Sequence, residues 1–148
     1  MTIWDVDASL GAKTTAGLVD AYGPLVSFMP IDVVDESSVA RATEDIASAH
    51  GGLDILVNNA GIASDGGPYA IDDLPREAWA RVLEVNLTGV FLCSKHAVRR
   101  MKHRGEGGSI VNVASTTGLV GLADVQAYGA SKHGVAGLTK ALALELVP

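Results

Sequence analysis

Three side chains toward the C-terminal end carry groups that handle protons: the Ser115 hydroxyl, the Tyr128 phenol and the Lys132 ammonium, all within the run STTGLVGLADVQAYGASK. Tyr128 and Lys132 stand four apart, in a segment whose apolar residues Val135, Leu138, Leu142 and Leu146 recur at helical spacing. On a helix the two share one face, with Cβ atoms about 5–6 Å apart. A free tyrosine titrates at about pH 10, so acid–base work at neutral pH requires a stabilised phenolate, and a neighbouring cation stabilises it. Ser115 follows the apolar run Ser109 to Ala114, which reads as a buried strand. A hydroxyl there can hydrogen-bond a substrate oxygen outside the strand's carboxyl end. The trio points to proton transfer at an alcohol or carbonyl oxygen. Taken alone, the same residues also suit an ordinary surface helix and turn.

The elements that must position this trio can be read upstream. Thr2 to Val6 is β-prone, and Leu10, Thr14, Leu18 and Tyr22 recur at helical spacing until Gly23, a C-cap. Val26 to Ile31 is a second strand, and Asp35 caps a helix from Glu36 to His50 that buries Val39, Ala42 and Ile46. Leu53 to Val57 runs without alternation, as strands covered on both faces do, and empties into Asn58-Asn59-Ala60-Gly61. A loop from Ile62 to Leu74 leads to a long helix with Pro75 as its first residue, passing Trp79, Leu83, Asn86, Val90 and Ala97 and ending before Gly107-Gly108. Strands alternating with helices of this length predict an α/β fold: a doubly wound parallel sheet with helices on both faces. Asp5, Asp32, Asn59 and Ser115 then fall at four strand ends, where such sheets bind ligands.

Composition narrows the function. The 148 residues suffice for one domain, residues 1–148, and 48% of them are hydrophobic. A formal net charge of −6, with basic residues gathered only between Arg99 and Arg104, argues against a nucleic-acid partner. No apolar run approaches the roughly 18 residues of a membrane span. The single cysteine, Cys93, excludes an internal disulfide and suits packing in a reducing compartment, so a cytoplasmic location is expected. His50, His96, His103 and His133 form no metal-binding spacing, so no metal is expected.

With these residues in view, the chain resembles the short-chain dehydrogenase/reductase family, nicotinamide-dependent oxidoreductases on a Rossmann-type, three-layer α-β-α fold. Asn58-Asn59-Ala60-Gly61 is similar to the family's NNAG motif, Asn86 in Val85-Asn-Leu-Thr-Gly89 to its helix asparagine, and Ser115, Tyr128 and Lys132 to its catalytic set. The resemblance implies that Tyr128 is the acid/base, Ser115 positions the substrate oxygen, Lys132 assists the tyrosine and contacts the nicotinamide ribose, and Asn86 holds a relay water. It likewise implies that Asp5 reads the adenosine ribose, that Asp32 and Val33 contact the adenine, and that Asn59, with Ala60 and Gly61, lies along the cofactor. A carboxylate at Asp5 accepts from a 2′-hydroxyl and repels a 2′-phosphate, which favours NAD over NADP. Helix capping by Asp5 and Asp7, and strand tying by Asn58, are the structural alternatives.

The implied activity is interconversion of an alcohol and a ketone or aldehyde. The implied assembly is a homodimer or homotetramer through the helices around 75–104 and 127–147. The sequence contains no TGxxxGxG turn of the kind that opens the family's fold. By that resemblance the chain is an incomplete domain, lacking the central first strand and the last strands. Buried backbone groups left without partners cost about 1–3 kcal/mol each, so the chain alone is expected to fold poorly and show little activity. The alternatives are an inactive fragment, or a non-catalytic interaction module of the same fold. An epimerase or dehydratase is a further reading, less consistent with NNAG and Asn86.

Overall fold

The computed structural model describes residues 1–147. Strand β1 (Thr2–Asp5) is followed by helix α1 (Ala8–Tyr22), strand β2 (Ser27–Pro30) and helix α2 (Glu36–His50). Strand β3 (Ile55–Asn58) leads through the loop to helix α3 (Arg76–Leu83), a π turn (Glu84–Thr88) and helix α4 (Gly89–Arg104). Strand β4 (Ser109–Asn112), a 3₁₀ turn (Thr116–Gly118) and helix α5 (Gln126–Leu146) complete the chain.

The strands pair in parallel as β1 with β2, from Thr2↔Ser27 to Asp5↔Pro30, and β3 with β4, from Ile55↔Ser109 to Asn58↔Asn112. Among the described residues β1 and β3 do not pair with each other. The result is the incomplete doubly wound arrangement expected from the sequence, divided into two parallel pairs. Helices lie on both faces of the first pair. Side chains alternate across a strand, so Phe28 and Met29 point to opposite faces. Gly11 of α1 seats against the Phe28 ring, whereas Met29 and its register partner Trp4 pack on the core formed by Ile31 just after β2, Val39 and Ala42 of α2 and Cys93 of α4. Leu56 of β3 joins that same core, which couples the two strand pairs through α2 and α4.

Local signals account for most boundaries. Asp7 accepts the Leu10 amide at 2.8 Å and caps α1, and Asp35 accepts the amides of Ser37 and Ser38 at 3.0 and 3.3 Å to cap α2. Three expectations are corrected. Pro75 is the cap of α3 rather than its first residue, and α4 ends at Gly105, left-handed at φ 78°, not at Gly107-Gly108. β3 is not covered on both faces: Ile55 and Val57 are 62% and 57% exposed. Asn58 bonds Ser94 of α4 while its strand neighbour Asn112 bonds Thr139 of α5, so both helices lie on one face of this pair and leave the other open. Among the described residues no helix is long and apolar enough to cross a membrane.

Candidate active site

Beyond β4 the chain stays extended. The Val113 amide donates to the Asn58 carbonyl at 2.9 Å, and Ser115, at φ −161° and ψ 163°, caps the 3₁₀ turn. The turn is pressed onto α5: a Cβ added at Gly118 would lie 2.8 Å from the Lys132 carbonyl oxygen. Only glycine permits that approach, and it fixes the Ser115 turn against the stretch of α5 that carries Lys132. Ser115 Oγ accepts from both donors of Thr117, the amide at 3.2 Å and the hydroxyl at 2.9 Å.

Tyr128 and Lys132 sit one turn apart on α5, as their spacing implied. Lys132 is buried, donates from Nζ to the Val113 carbonyl at 2.8 Å, and holds its ammonium 5.6 Å from the Tyr128 ring centre. The ammonium is thus positioned from two sides, by α5 and by the end of β4. Placed this way it lies beside the phenol ring and faces the residues that follow β3. A Cβ at Gly61 would stand 3.7 Å from Lys132 Nζ and 3.2 Å from Asn86 Oδ1.

Asn86 lies in the π turn and is fully buried. Its Oδ1 accepts the Ile62 amide at 2.8 Å, and its Nδ2 donates to the Ile62 carbonyl at 2.9 Å and to Ser131 Oγ at 3.1 Å. Ser131 in turn donates to the Tyr128 carbonyl at 2.7 Å. One side chain therefore joins the loop after β3 to the helix of the tyrosine. Both amide hydrogens of Asn86 are thus used within the protein. Asn58 ties strands and helices, donating to Asn112 Oδ1 at 2.7 Å and Ser94 Oγ at 3.1 Å, while Asn59, Ala60 and Gly61 remain exposed beyond β3.

The remaining sequence candidates lie at the ends of the other strand pair. Asp5 ends β1 and is exposed; one carboxylate oxygen accepts the Asp7 amide at 2.9 Å, and among the described residues the other has no hydrogen-bond partner. Asp32 accepts the Val34 amide at 3.2 Å and faces Arg81 at 3.9 Å. Val33 packs against the core and against Gly89, where an added Cβ would meet its side chain at 2.7 Å, so it contributes to packing as well as to the strand-end surface. The fold brings Ser115, Tyr128, Lys132, Asn86 and Gly61 together and keeps Asp5, Asp32 and Val33 as a separate group.

A shallow cleft beside the tyrosine is lined by Asp65, Tyr69, Leu74, Asp124, Gln126 and Tyr128, among others, and among the described residues no lysine, arginine or histidine lines it. Leu119, Val120 and Leu122 are exposed beyond the 3₁₀ turn. Cys93, buried in the core, has its thiol pushed up to about 11 by desolvation. Sequence reasoning missed Thr117, Ser131 and the Val113 carbonyl. A hydroxyl two residues after a turn serine is a known local partner, but the run Ser115-Thr-Thr117 does not reveal which threonine turns inward. The Val113 contact joins residues 19 apart and leaves no local signal.

A comparison with protein families matches residues 2–148 to the family described as short chain dehydrogenase. Among curated proteins, cis-4-hydroxycyclohexanecarboxylate dehydrogenase of Sinomonas cyclohexanicum is 44% identical over 138 residues, covering 93% of this chain and 54% of its own. The chain spans about half the length of the curated relatives it matches. Among solved structures, NAD+-bound xylitol dehydrogenase superposes with a TM-score of 0.90 at 32% identity, covering 98% of this chain and 54% of the other. ElxO with NADP bound superposes with a TM-score of 0.87 at 35% identity, covering 98% and 57% respectively.

Proposed function

Because the chain belongs to the short chain dehydrogenase family, we propose that residues 1–148 are one domain, itself part of a Rossmann-type fold, of an NAD-dependent oxidoreductase that interconverts a secondary alcohol and its ketone. The observation that carries this reading is the joining of Ser115, Tyr128 and Lys132 on one platform, locked by Gly118 against α5 and by Lys132 against the Val113 carbonyl. A reaction centre needs its groups held in fixed mutual geometry, and this platform supplies it. The relative named for a hydroxycyclohexanecarboxylate is consistent with a secondary alcohol as substrate.

The residues present suit a nicotinamide dinucleotide. Asp5 offers a ribose hydroxyl a carboxylate oxygen that has no partner among the described residues, Asp32 and Val33 offer a strand-end surface for the base, and the exposed Asn59, Ala60 and Gly61 leave backbone open to close approach. The cofactor, when bound, supplies the acceptor or donor of the hydride. Asp5 favours NAD because its charge opposes a 2′-phosphate, a preference on which neighbours holding NAD+ and NADP do not agree.

In the oxidation direction the Tyr128 phenolate accepts the proton of the substrate hydroxyl, and in reduction the phenol returns it to the oxygen. Lys132, buried and with its ammonium 5.6 Å from the ring centre, sits beside the group that exchanges the proton. Ser115 donates its hydroxyl proton to the substrate oxygen as a hydrogen bond. Asn86 is a positioning residue that holds Ile62 and Ser131 in register with the platform. The exposed Phe91 of α4 and Leu144 of α5 serve a homodimer or homotetramer contact, and the single buried thiol suits the cytoplasm.

The test uses the full-length protein that carries this chain, assayed with NAD and with NADP against a set of cyclic and acyclic secondary alcohols. Tyr128→Phe is expected to abolish turnover while leaving NADH fluorescence titration intact, and Asp5→Ser to narrow the NAD preference. Turnover by Tyr128→Phe at the parent rate would overturn the assignment.

A further inference from the structure

We propose that Thr117 is a positioning residue that sets Ser115 as an obligate hydrogen-bond donor toward the substrate oxygen. The inference rests on the reading of Ser115 given above and goes beyond it in naming what fixes the polarity of that hydroxyl. A serine hydroxyl has one proton to donate and two lone pairs that accept. In this fold both acceptor positions face one residue: the Thr117 amide at 3.2 Å and the Thr117 hydroxyl at 2.9 Å. What remains is the Ser115 proton, free to point away from the turn. A serine that could also accept would pair equally well with a substrate hydroxyl in the wrong orientation. With its acceptors filled it binds the substrate oxygen in one sense only, the sense needed when negative charge develops on that oxygen. The Thr117 hydroxyl, donating into Ser115, also polarises the serine O–H and strengthens its outward bond.

Thr117 is suited to the task because it cannot easily turn away. It is 4% exposed, lies in the middle of the 3₁₀ turn, and is followed by Gly118, whose contact with the Lys132 backbone seats the turn on α5. Thr116, its neighbour, is exposed and makes no such bond among the described residues.

The experiment is a double-mutant cycle in the full-length protein, using Thr117→Val, Thr117→Ser, Ser115→Ala and the Ser115→Ala/Thr117→Val pair. Thr117→Val keeps the volume and removes one hydrogen bond, so kcat is expected to fall about tenfold with little change in KM, and Thr117→Ser to restore it. In the Ser115→Ala background the valine change is expected to cost nothing further, because its whole effect passes through the serine. An activity-free reading comes from hydrogen exchange: Ser115→Ala removes the acceptor of the Thr117 amide, which is expected to exchange about tenfold faster. If Thr117→Val matches the parent, or slows the reaction equally with and without Ser115, the inference is wrong while the assignment of the site stands. If the parent has no nicotinamide-dependent turnover, the site assignment fails and takes this inference with it. Equal melting temperatures for the valine and serine variants separate loss of the bond from loss of the fold.

Discussion

Replacing Asn86 with alanine probes whether the loop after β3 is held to α5 by one buried amide. The side chain is fully buried and makes three hydrogen bonds, two with the Ile62 backbone and one with Ser131. A neutral hydrogen bond contributes about 1 kcal/mol net, and a buried group left without a partner costs about 1–3 kcal/mol. Ser131 keeps its bond to the Tyr128 carbonyl and the half-buried Ile62 groups gain partial access to water, so the expected loss is about 3–5 kcal/mol. Against a typical stability of about 5–15 kcal/mol that is a large fraction. Equilibrium urea unfolding of the full-length protein measures it, and exchange of the Ile62 amide localises it. Asn86→Asp supplies an internal control. It keeps the acceptor for the Ile62 amide but turns a buried carboxylate toward the Ile62 carbonyl. Burial raises that group's folded pKa, so its deficit is expected to be greatest at neutral pH and to shrink as the pH falls toward about 4. A loss below about 1 kcal/mol for Asn86→Ala, with unchanged protection at Ile62, would refute the clamp.

Four further outcomes follow from the geometry. Gly118→Ala places a methyl 2.8 Å from the Lys132 carbonyl oxygen, so unfolding free energy is expected to drop by about 1–3 kcal/mol and turnover at least about tenfold; a variant with parent activity would show that the turn does not hold Ser115 in place. Hydrogen bonds from Ser38 and Ser37 hold the Asp35 carboxyl at about 2, below its ordinary 3.8, so its contribution is present above pH 3.8 and lost as the pH falls through about 2; Asp35→Ala is expected to flatten part of that acid limb in a pH series of melting temperatures. The Cys93 thiol, buried and pushed up to about 11, is expected to resist iodoacetamide at pH 8 until the chain unfolds, a result that mass spectrometry reads directly. Asp65 and Asp124 line the cleft beside Tyr128 without a cation there, so each change to asparagine is expected to raise kcat/KM for a carboxylate-bearing alcohol about fivefold and leave its uncharged counterpart unmoved; an equal effect on both would remove the electrostatic reading. Asp124 already sits in the left-handed region at φ 61°, which asparagine tolerates.

The sequence by itself determined the alternation of four strands with long helices, the Asp35 cap and the Gly23 stop, because each is written in residues close together along the chain. It also placed Tyr128 and Lys132 on one helix face, since a spacing of four is a local property of α-helices. It indicated that Asn58 could tie strands, and the bonds to Asn112 and Ser94 show that it does. Tertiary structure decided what those side chains do with their hydrogen bonds. That Asn86 uses its amide on Ile62 and Ser131, that Lys132 anchors on the Val113 carbonyl, and that α4 and α5 cover only one face of β3 all depend on contacts between distant segments. Ser115 shows the division most plainly. Its position after a strand marks it as a candidate, but a hydroxyl can donate or accept, and only the folded turn, with both Thr117 donors pointing at Oγ, decides which.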